Sequence, residues 1–459
     1  MALTDAVGRI VRSPAFKFFL ILLLIILLLV PLLLVNALIW DREQRAAGVR
    51  EEVGRLWGPT QRVLGPFLVV PYTVRVFVGD GDRRVERIDE RYAIFTPTAL
   101  EVSGRTETTT LRRSIFEVPV YTANLKLFGS FATPRIEDVA SETASVRWRD
   151  AKLVLAISGV AGLKEASALK IDGATDVPLA PSLGFKSGNL TGVHARLAGA
   201  GPAVVPQPPG PLRPFTFTLE LALKGSVALT VAPVARETRL ALRSDWPHPS
   251  FTGAFLPDTR EVTSAGFTAA WKIPHLARSV PEAWSTSEAT LQRLEPYAFG
   301  VSMIAPVDFY SLVNRAAKYG IMFVAMAFMA VFCLELVAAR PVHAVQYLFT
   351  GIALVFFYVL LLSLAEHLGF TMAYVLASLA TGAMLAAYVG YAMASAARGF
   401  AMLAVFAVIY GMLYLILQLE DYALLAGAIL GFVALAVVMF TTRRVDWSGG
   451  TATRPPAPA

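Results

Sequence analysis

The sequence predicts a membrane protein with six transmembrane α-helices and a large all-β, sandwich-like domain inserted between helices 1 and 2. The first helix is an N-terminal anchor, and the other five form a C-terminal block. Of the 459 residues, 55% are hydrophobic and 16% are charged, and the mean hydropathy is +0.56. Soluble globular proteins carry more charge and less apolar sequence. A long stretch of alternating polar and apolar residues separates the first apolar run from the others, and it predicts the β-domain.

An apolar run at residues 18–39 predicts the first transmembrane helix, because it matches the roughly 20 residues that span a bilayer core of about 30 Å. Three basic residues precede it: Arg9, Arg12 and Lys17. No small-x-small cleavage site ends the run, so we expect an uncleaved anchor with residues 1–17 in the cytoplasm. A short, separate amphipathic helix is expected to follow at Arg42–Leu56.

The C-terminal block at residues 319–442 contains few charges. Its charged residues are Glu335, Arg340, Glu366, Arg398, Glu420 and Asp421. They divide the block into five spans of helical length, near 319–338, 345–365, 371–394, 399–418 and 422–441. A short amphipathic helix is expected before the block at Asp308–Lys318, and a Pro-rich tail follows it at residues 443–459.

The charges between these spans predict the orientation of the chain. Basic residues fall on one side and acidic residues on the other: Arg340, Arg398 and Arg443 against Glu366, Glu420 and Asp421. Short loops rich in lysine and arginine stay in the cytoplasm. We therefore expect both termini in the cytoplasm and residues 41–318 on the opposite face of the membrane.

The segment at residues 41–318 has the alternation of β-strands. Stretches such as Tyr72–Val78 and Phe215–Leu223 place apolar residues at every second position, and glycine- and proline-rich turns separate such stretches. This pattern indicates antiparallel sheets with one buried face, and hence a β-sandwich. A short motif that starts at Phe95 recurs at Phe255, so the domain consists either of one β-lobe or of two similar β-lobes.

Several classes of site lack support in the sequence. The single cysteine, Cys333, excludes a disulfide framework, and the five scattered histidines predict no metal site. The chain has no Walker loop, no Gly-x-Ser-x-Gly elbow and no His-Glu-x-x-His motif, so we predict neither an enzyme nor a cofactor. The net charge of +7 comes largely from arginines that flank apolar runs, so nucleic acid is not an expected partner.

The segment Ser-Asp-Trp-Pro-His-Pro-Ser-Phe, Ser244–Phe251, is the candidate recognition loop. Two prolines flank His248 and favour an extended, turn-rich conformation. The loop is either a rigid structural element whose aromatic rings pack into the sandwich edge, or a surface that binds a ligand or partner. Catalysis by a serine with His248 is a third interpretation and would require converging side chains. The candidate binding residues are Asp245, Trp246, His248, Ser250 and Phe251.

Polar residues near the helix ends form a second candidate group. Ionisable residues inside a bilayer are costly and often mark transport paths, but here they lie near the membrane boundaries. The deepest, Glu335, is expected to pair with Arg340 or to extend toward the interface. Small residues every four positions from Gly382 to Ala394 predict close helix packing, within the chain or between protomers. The candidate boundary residues are Lys318, Glu335, His343, Gln346, Glu366, His367, Glu420 and Asp421.

Short motifs along the chain carry a family resemblance. They are Leu-Gly-Pro-Phe-Leu-Val-Val-Pro at 64–71, Ser-Asp-Trp-Pro-His-Pro-Ser-Phe at 244–251, Arg-Glu-Val at 260–262, His-x-x-Gln-Tyr-Leu at 343–348, Glu-His-x-Gly-Phe at 366–370 and Arg-x-Val-Asp-Trp at 443–447. In this order they resemble the CreD family of cell envelope integrity proteins in the inner membrane of Gram-negative bacteria. The resemblance implies a periplasmic β-domain and a role in envelope homeostasis. The resemblance also implies a link to sensitivity toward envelope-acting toxins and antibiotics and to a two-component regulator. It implies no known reaction.

Together these observations predict a non-enzymatic, multi-pass inner-membrane protein of envelope integrity or stress response that acts through ligand or partner binding by its periplasmic β-domain. A membrane carrier for a lipid or envelope precursor is an alternative, and it requires a cavity between the C-terminal helices. A hydrolase in the periplasmic domain is a second alternative, and it requires Ser244 or Ser250 near His248. The expected partners are the lipid bilayer and a periplasmic envelope component or protein. The sequence is also compatible with a homo-oligomer.

Overall fold

The computed structural model divides the chain into two compact units. One unit comprises Met1–Ala46 and Val307–Ala459, and the other comprises Ala47–Pro306. The structure describes residues 14–78, 85–140, 143–166, 168–185, 190–208, 210–286, 293–303, 309–338, 341–419 and 422–443.

Six helices within the described residues are long and apolar enough to cross a membrane. The first, α1, runs over Pro14–Trp57. A short amphipathic helix, α2 at Phe309–Lys318, precedes the C-terminal block and buries Tyr310 and Val313 while Lys318 stays exposed. The helices of the block are α3 Gly320–Ala338, α4 Ala344–Leu368, α5 Phe370–Ala392, α6 Ala396–Gln418 and α7 Ala423–Thr442.

The first helix is longer than the sequence predicted. An anchor at 18–39 and a separate amphipathic helix at Arg42–Leu56 were expected, whereas α1 continues through both without a break. The side chains of Asp41 and Arg45, four residues apart, form an ion pair of 3.0 Å on the helix surface. Neither glycine nor proline occurs at 40–47 to end the helix. The helix therefore continues past the point where the sequence changes from apolar to charged residues.

The Ala47–Pro306 unit is built from β-strands that form two sheets. Within the described residues the strands are β1 Gln61–Val78, β2 Val85–Phe95, β3 Ala99–Arg113, β4 Phe116–Phe131, β5 Ser145–Val146, β6 Lys152–Ile157, β7 Leu163–Ala166, β8 Leu169–Ile171, β9 Thr175–Val177, β10 Leu179–Pro181, β11 Gly192–Arg196, β12 Phe215–Ser226, β13 Ala228–Val231, β14 Glu237–Ser244, β15 Ser250–Gly253, β16 Thr259–Thr263, β17 Gly266–Pro274, β18 Ala283–Ser285 and β19 Phe299–Ser302.

The two sheets share one hydrophobic core. The ten-stranded sheet has the order β10-β11-β6-β1-β13-β19-β15, with β2, β5 and β18 attached through β1 and β2. The nine-stranded sheet has the order β16-β17-β14-β3-β4-β12-β8-β9, with β7 paired to β12. Inward residues of the second sheet, such as Val102 and Leu240, lie in the same buried cluster as Leu68 and Leu155 of the first. The domain is therefore sandwich-like, as the alternation predicted.

In the part of the β-domain that the structure describes, two strand pairs depart from the antiparallel arrangement expected from the sequence. Strand β1 lies parallel to β13, and β3 lies parallel to β14. Alternation of polar and apolar residues identifies which face of a strand is buried, but it contains no information on the direction of the neighbouring strand. The sequence pattern could therefore predict the sandwich but not these two parallel pairs.

The order of the elements confirms the predicted fold class, with one membrane helix before the β-domain and five after it. Close packing also occurs where small residues predicted it, between α5 and α6. A Cβ atom added to Gly390 would lie 3.0 Å from the Cα atom of Gly399. Small residues allow such close approach of helix backbones in lipid, so this part of the small-residue face is used within the chain.

Candidate functional site

A cleft of about 1020 Å³ lies on the outer face of the nine-stranded sheet. Its floor consists of small side chains on three adjacent strands. Ser103 of β3, Ala241 of β14 and Ala270 of β17 are direct neighbours in the strand register. The short floor side chains leave a space that longer polar side chains surround. We call this space the sheet cleft.

Two arginines lie next to each other in the sheet cleft. Arg105 of β3 and Arg243 of β14 are paired in the parallel register. In the same cross-strand row, Asn124 of β4 lies beside Arg105, and Thr268 of β17 lies beside Arg243. The Arg105 guanidinium is 3.5 Å from the Glu107 carboxylate outside the cleft. Arg243 forms no ion pair with any residue that the structure describes.

Acidic side chains lie at both ends of this row. Glu261 of β16 continues the row beyond Thr268, and Glu165 of β7 ends it on the other side, beyond β12. A further cation in the cleft, Lys126, is paired with Glu220 at 3.2 Å. The row therefore has two positive charges in its centre and one negative charge at each end.

The candidate recognition loop starts where β14 leaves the sheet at Ser244, one residue after Arg243. The Asp245 carboxylate accepts hydrogen bonds from the Thr108 amide at 2.9 Å and from the Thr108 hydroxyl at 2.7 Å. The Trp246 amide donates to the Ser244 hydroxyl at 3.1 Å, and its indole N–H donates to the carbonyl of residue 248 at 2.9 Å. These bonds fasten the loop to β3 and close it on itself.

Phe251 joins the end of the loop to the sheet cleft. Its half-buried ring packs against the Trp271 ring, with the ring centroids 5.9 Å apart. The guanidinium of Arg260, which lines the cleft, lies 5.9 Å from the Phe251 ring centroid. His248 and Ser250 are exposed to solvent. The aromatic residues Trp246 and Phe251 are therefore half-buried against the core, whereas His248 is exposed.

Among the boundary residues, Glu335 of α3 connects three helices. Its side chain is 6% exposed and forms an ion pair with Lys17 of α1. The hydroxyl of Tyr347 in α4 donates a hydrogen bond to the same carboxylate at 2.8 Å. The sequence suggested Arg340 as the partner, and Arg340 lies outside the described residues. The structure pairs Glu335 with a cation that lies far away in sequence, which the local charge pattern could not reveal.

Glu366 has similar contacts at the opposite end of α4. Its side chain is 9% exposed and lies 3.7 Å from the guanidinium of Arg42 in α1. It also accepts a hydrogen bond of 3.2 Å from the hydroxyl of Tyr310 in α2. At 1.5 Å per residue, Lys17 and Arg42 lie about 37 Å apart along α1. The two carboxylates therefore fasten α1 to the other helices at two distant points.

The remaining boundary residues lie at helix ends. His343 and Gln346 cap the start of α4, because the His343 amide donates to the Gln346 side-chain oxygen at 2.9 Å and the His343 Nδ1 accepts from the amide of residue 345 at 3.3 Å. Lys318 and His367 are exposed. Two residues of this group lie outside the described part of the chain: Glu420 and Asp421.

Comparison with known proteins identifies the family. The family model described as Inner membrane protein CreD matches residues 13–448. The chain belongs to the CreD family. The protein named Inner membrane protein CreD in Escherichia coli (strain K12) is 31% identical over 419 residues, which are 91% of this chain and 90% of that protein. The resemblance inferred from the motifs is confirmed, and the six apolar helices agree with a multi-pass protein of the inner membrane.

Most residues of the sheet cleft were not predicted as binding residues from the sequence. Arg260 and Glu261 belong to one of the motifs that suggested the family resemblance, but Arg105 and Arg243 do not. Each of these two arginines occupies an outward position of an alternating strand, so the pattern predicts exposure for both. The pattern could not show that β3 and β14 are neighbours, because their parallel pairing joins segments more than 100 residues apart.

Proposed function

We propose that the protein binds a component of the cell envelope in the sheet cleft of its β-domain, that this domain lies in the periplasm, and that no reaction is catalysed on the bound component. The observation that carries this proposal is the cleft itself, a concave space of about 1020 Å³ on a sheet, lined by charged and hydroxyl side chains. Concave sites with a few convergent polar groups are typical ligand-binding sites. Membership of the CreD family supports an envelope ligand.

The charges at the helix ends support the periplasmic location of the β-domain. Lys17, Arg398 and Arg443 lie toward one side of the membrane in the predicted topology, and Glu366 lies toward the other. Basic residues are retained on the cytoplasmic side, so the segment between α1 and α2 is expected on the periplasmic side.

The loop geometry favours binding over hydrolysis. A serine nucleophile needs a hydrogen bond to its general base. Ser244 is buried, and its hydroxyl accepts a hydrogen bond from the Trp246 amide. Within the described residues, no hydrogen bond joins the His248 imidazole to Ser244 or to Ser250. The arrangement that a hydrolase would require is therefore not assembled in this loop.

Filling the sheet cleft from its floor tests the proposal. Ala241 is exposed, so Ala241→Trp adds an indole to the cleft without adding volume to the core. We expect the variant to accumulate normally and to fail to restore resistance to envelope-acting antibiotics in a deletion strain. Ala99→Trp is the matched control, because Ala99 is an exposed alanine on the same face of β3 outside the cleft. Full restoration by Ala241→Trp would refute a function of the cleft.

A carrier for a lipid or lipid-linked precursor is a second candidate, and one observation favours it. A cavity of about 790 Å³ lies between α3, α6 and α7, and apolar side chains such as Met326, Val405 and Val438 line it. An acyl chain would fit such a lining. Ala404→Trp on α6 would narrow this cavity. A carrier would lose function through this change in the same antibiotic assay, whereas a protein that works through the sheet cleft would keep it.

A further inference from the structure

The arginine pair in the sheet cleft is unfavourable in the absence of an anion. Like charges directly opposite each other on neighbouring strands destabilise a sheet. Arg105 and Arg243 occupy such positions: Arg105 has only the exposed Glu107 carboxylate at 3.5 Å, and Arg243 has no ion pair within the described chain. An oxyanion between the two guanidinium groups would remove this repulsion and accept charge-assisted hydrogen bonds. The planar fork of arginine fits carboxylate and phosphate groups in particular.

The carboxylates at the ends of the row restrict the ligand to one central anionic group. Neighbouring strands are about 4.8 Å apart, so Glu261 lies roughly 10 Å from the strand of Arg243, and Glu165 lies roughly 14 Å from the strand of Arg105. A polyanion along the row would approach both carboxylates and be repelled. The two other cations that line the cleft belong to neighbouring rows: Lys126 is paired with Glu220 at 3.2 Å, and the Arg260 guanidinium lies 5.9 Å from the Phe251 ring centroid. Along this row, the end carboxylates favour a ligand whose groups on either side of the central anion are neutral.

The position of the cleft within the sheet favours a polyhydroxylated ligand over a peptide. Strands β3, β4 and β14 lie inside the nine-stranded sheet, where their backbone amides and carbonyls are used in the strand ladders. An extended peptide therefore finds no free strand edge beside Arg105 and Arg243 in the centre of the cleft, where the anion is held. Side-chain donors and acceptors are available instead, from Ser103, Asn124 and Thr268. Hydroxyl groups of a sugar match these short polar side chains.

We infer that the sheet cleft binds a saccharide with a single carboxylate or phosphate group held between Arg105 and Arg243. Asn124 and Thr268 contact the neighbouring hydroxyl groups. Ligand pockets commonly measure about 300–1,000 Å³, and the cleft, at about 1020 Å³, has room for more than one sugar unit. This inference rests on the proposed binding function and adds the chemical class of the ligand.

A titration of the full chain in detergent micelles, followed by saturation-transfer NMR, tests this ligand class. The probes are N-acetylmuramic acid with a carboxylate, N-acetylglucosamine 6-phosphate with a phosphate, and neutral N-acetylglucosamine. We expect at least one anionic sugar to bind at least tenfold more tightly than the neutral sugar. The preferred anionic sugar identifies the group that the arginines hold.

Charge-neutral variants show whether the arginine pair is responsible. Arg243→Gln keeps an amide donor but loses the charge, so it should weaken binding of the anionic sugar at least tenfold. Arg239→Gln is the matched control, because Arg239 is exposed on the same face of β14 outside the cleft. Equal binding of charged and neutral sugars, binding of none of them, or undiminished binding by the Arg243→Gln variant would overturn the inference.

The failure of this inference is distinguishable from failure of the proposed function. If the sugars do not bind but Ala241→Trp still abolishes antibiotic resistance, the cleft functions with a ligand of another class. If Ala241→Trp restores resistance fully, the binding function of the cleft is itself wrong.

Discussion

Removal of the positive charge of Lys17 measures how strongly the buried Glu335 carboxylate fastens the first helix. The Glu335 side chain is 6% exposed, and its partners are the Lys17 ammonium group and the Tyr347 hydroxyl at 2.8 Å. Breaking a buried ion pair costs about 3–5 kcal/mol, because the remaining charge loses its partner. Lys17 is 21% exposed and Tyr347 continues to donate, so Lys17→Met should lower the free energy of unfolding by about 2–3 kcal/mol.

A double-mutant cycle isolates the interaction between the two charges. Glu335→Gln keeps an oxygen that accepts from Tyr347, and the double variant removes both charges. The loss in the double variant should be smaller than the sum of the single losses by about 1.5–3 kcal/mol. Equilibrium unfolding in mixed micelles gives these values, and Lys318→Met is the control at an exposed lysine. If the Lys17→Met variant has the same free energy of unfolding as the unmodified protein, or if the losses of the two single variants add up to that of the double variant, the ion pair does not fasten α1.

Three further predictions concern the β-domain and the orientation. His248→Ala should change the free energy of unfolding by less than about 0.5 kcal/mol, because the side chain is exposed; a larger loss in denaturant unfolding would contradict the described loop. Gly58→Ala should lower it by about 1–3 kcal/mol, because the added Cβ would lie 2.3 Å from a backbone carbonyl oxygen; an unchanged unfolding midpoint would argue against this packing. In a Cys333→Ala background, a cysteine at Ala99 should react with a membrane-impermeant thiol reagent in intact cells, and a cysteine at Gly449 should react only after lysis. Reversed labelling would invert the topology.

The helical part of the fold was predictable because its signal is local. Apolar runs of about 20 residues with charges between them give the number and order of the membrane helices. The end of α1 was not predictable in this way. Its last turns pack Val53 against Val118 and Val120 of β4, and this contact lies within the β-domain unit. A contact with β4 therefore stabilises the last turns of α1, which the change in composition had predicted to be a separate helix.

The candidate site was less predictable because it depends on contacts between distant segments. Arg105 and Arg243 come together only through the parallel pairing of β3 and β14. Lys17 and Glu335 are 318 positions apart, and the nearer Arg340 looked like the natural partner of this carboxylate. Alternation and charge patterns predict which side chains are exposed or costly to bury. They do not predict which strand or helix lies next to a given side chain.

Photo-crosslinking from the floor of the sheet cleft in intact cells is the most direct measurement of whether the cleft binds an envelope component. A photoreactive amino acid at Ala241 lies in the cleft, and the same amino acid at Ala99 lies on the same face of the sheet outside it. We predict discrete adducts from position 241 that glycan-cleaving enzymes shorten, and no such adducts from position 99. The same adducts from both positions, or none from position 241, would contradict binding in the cleft.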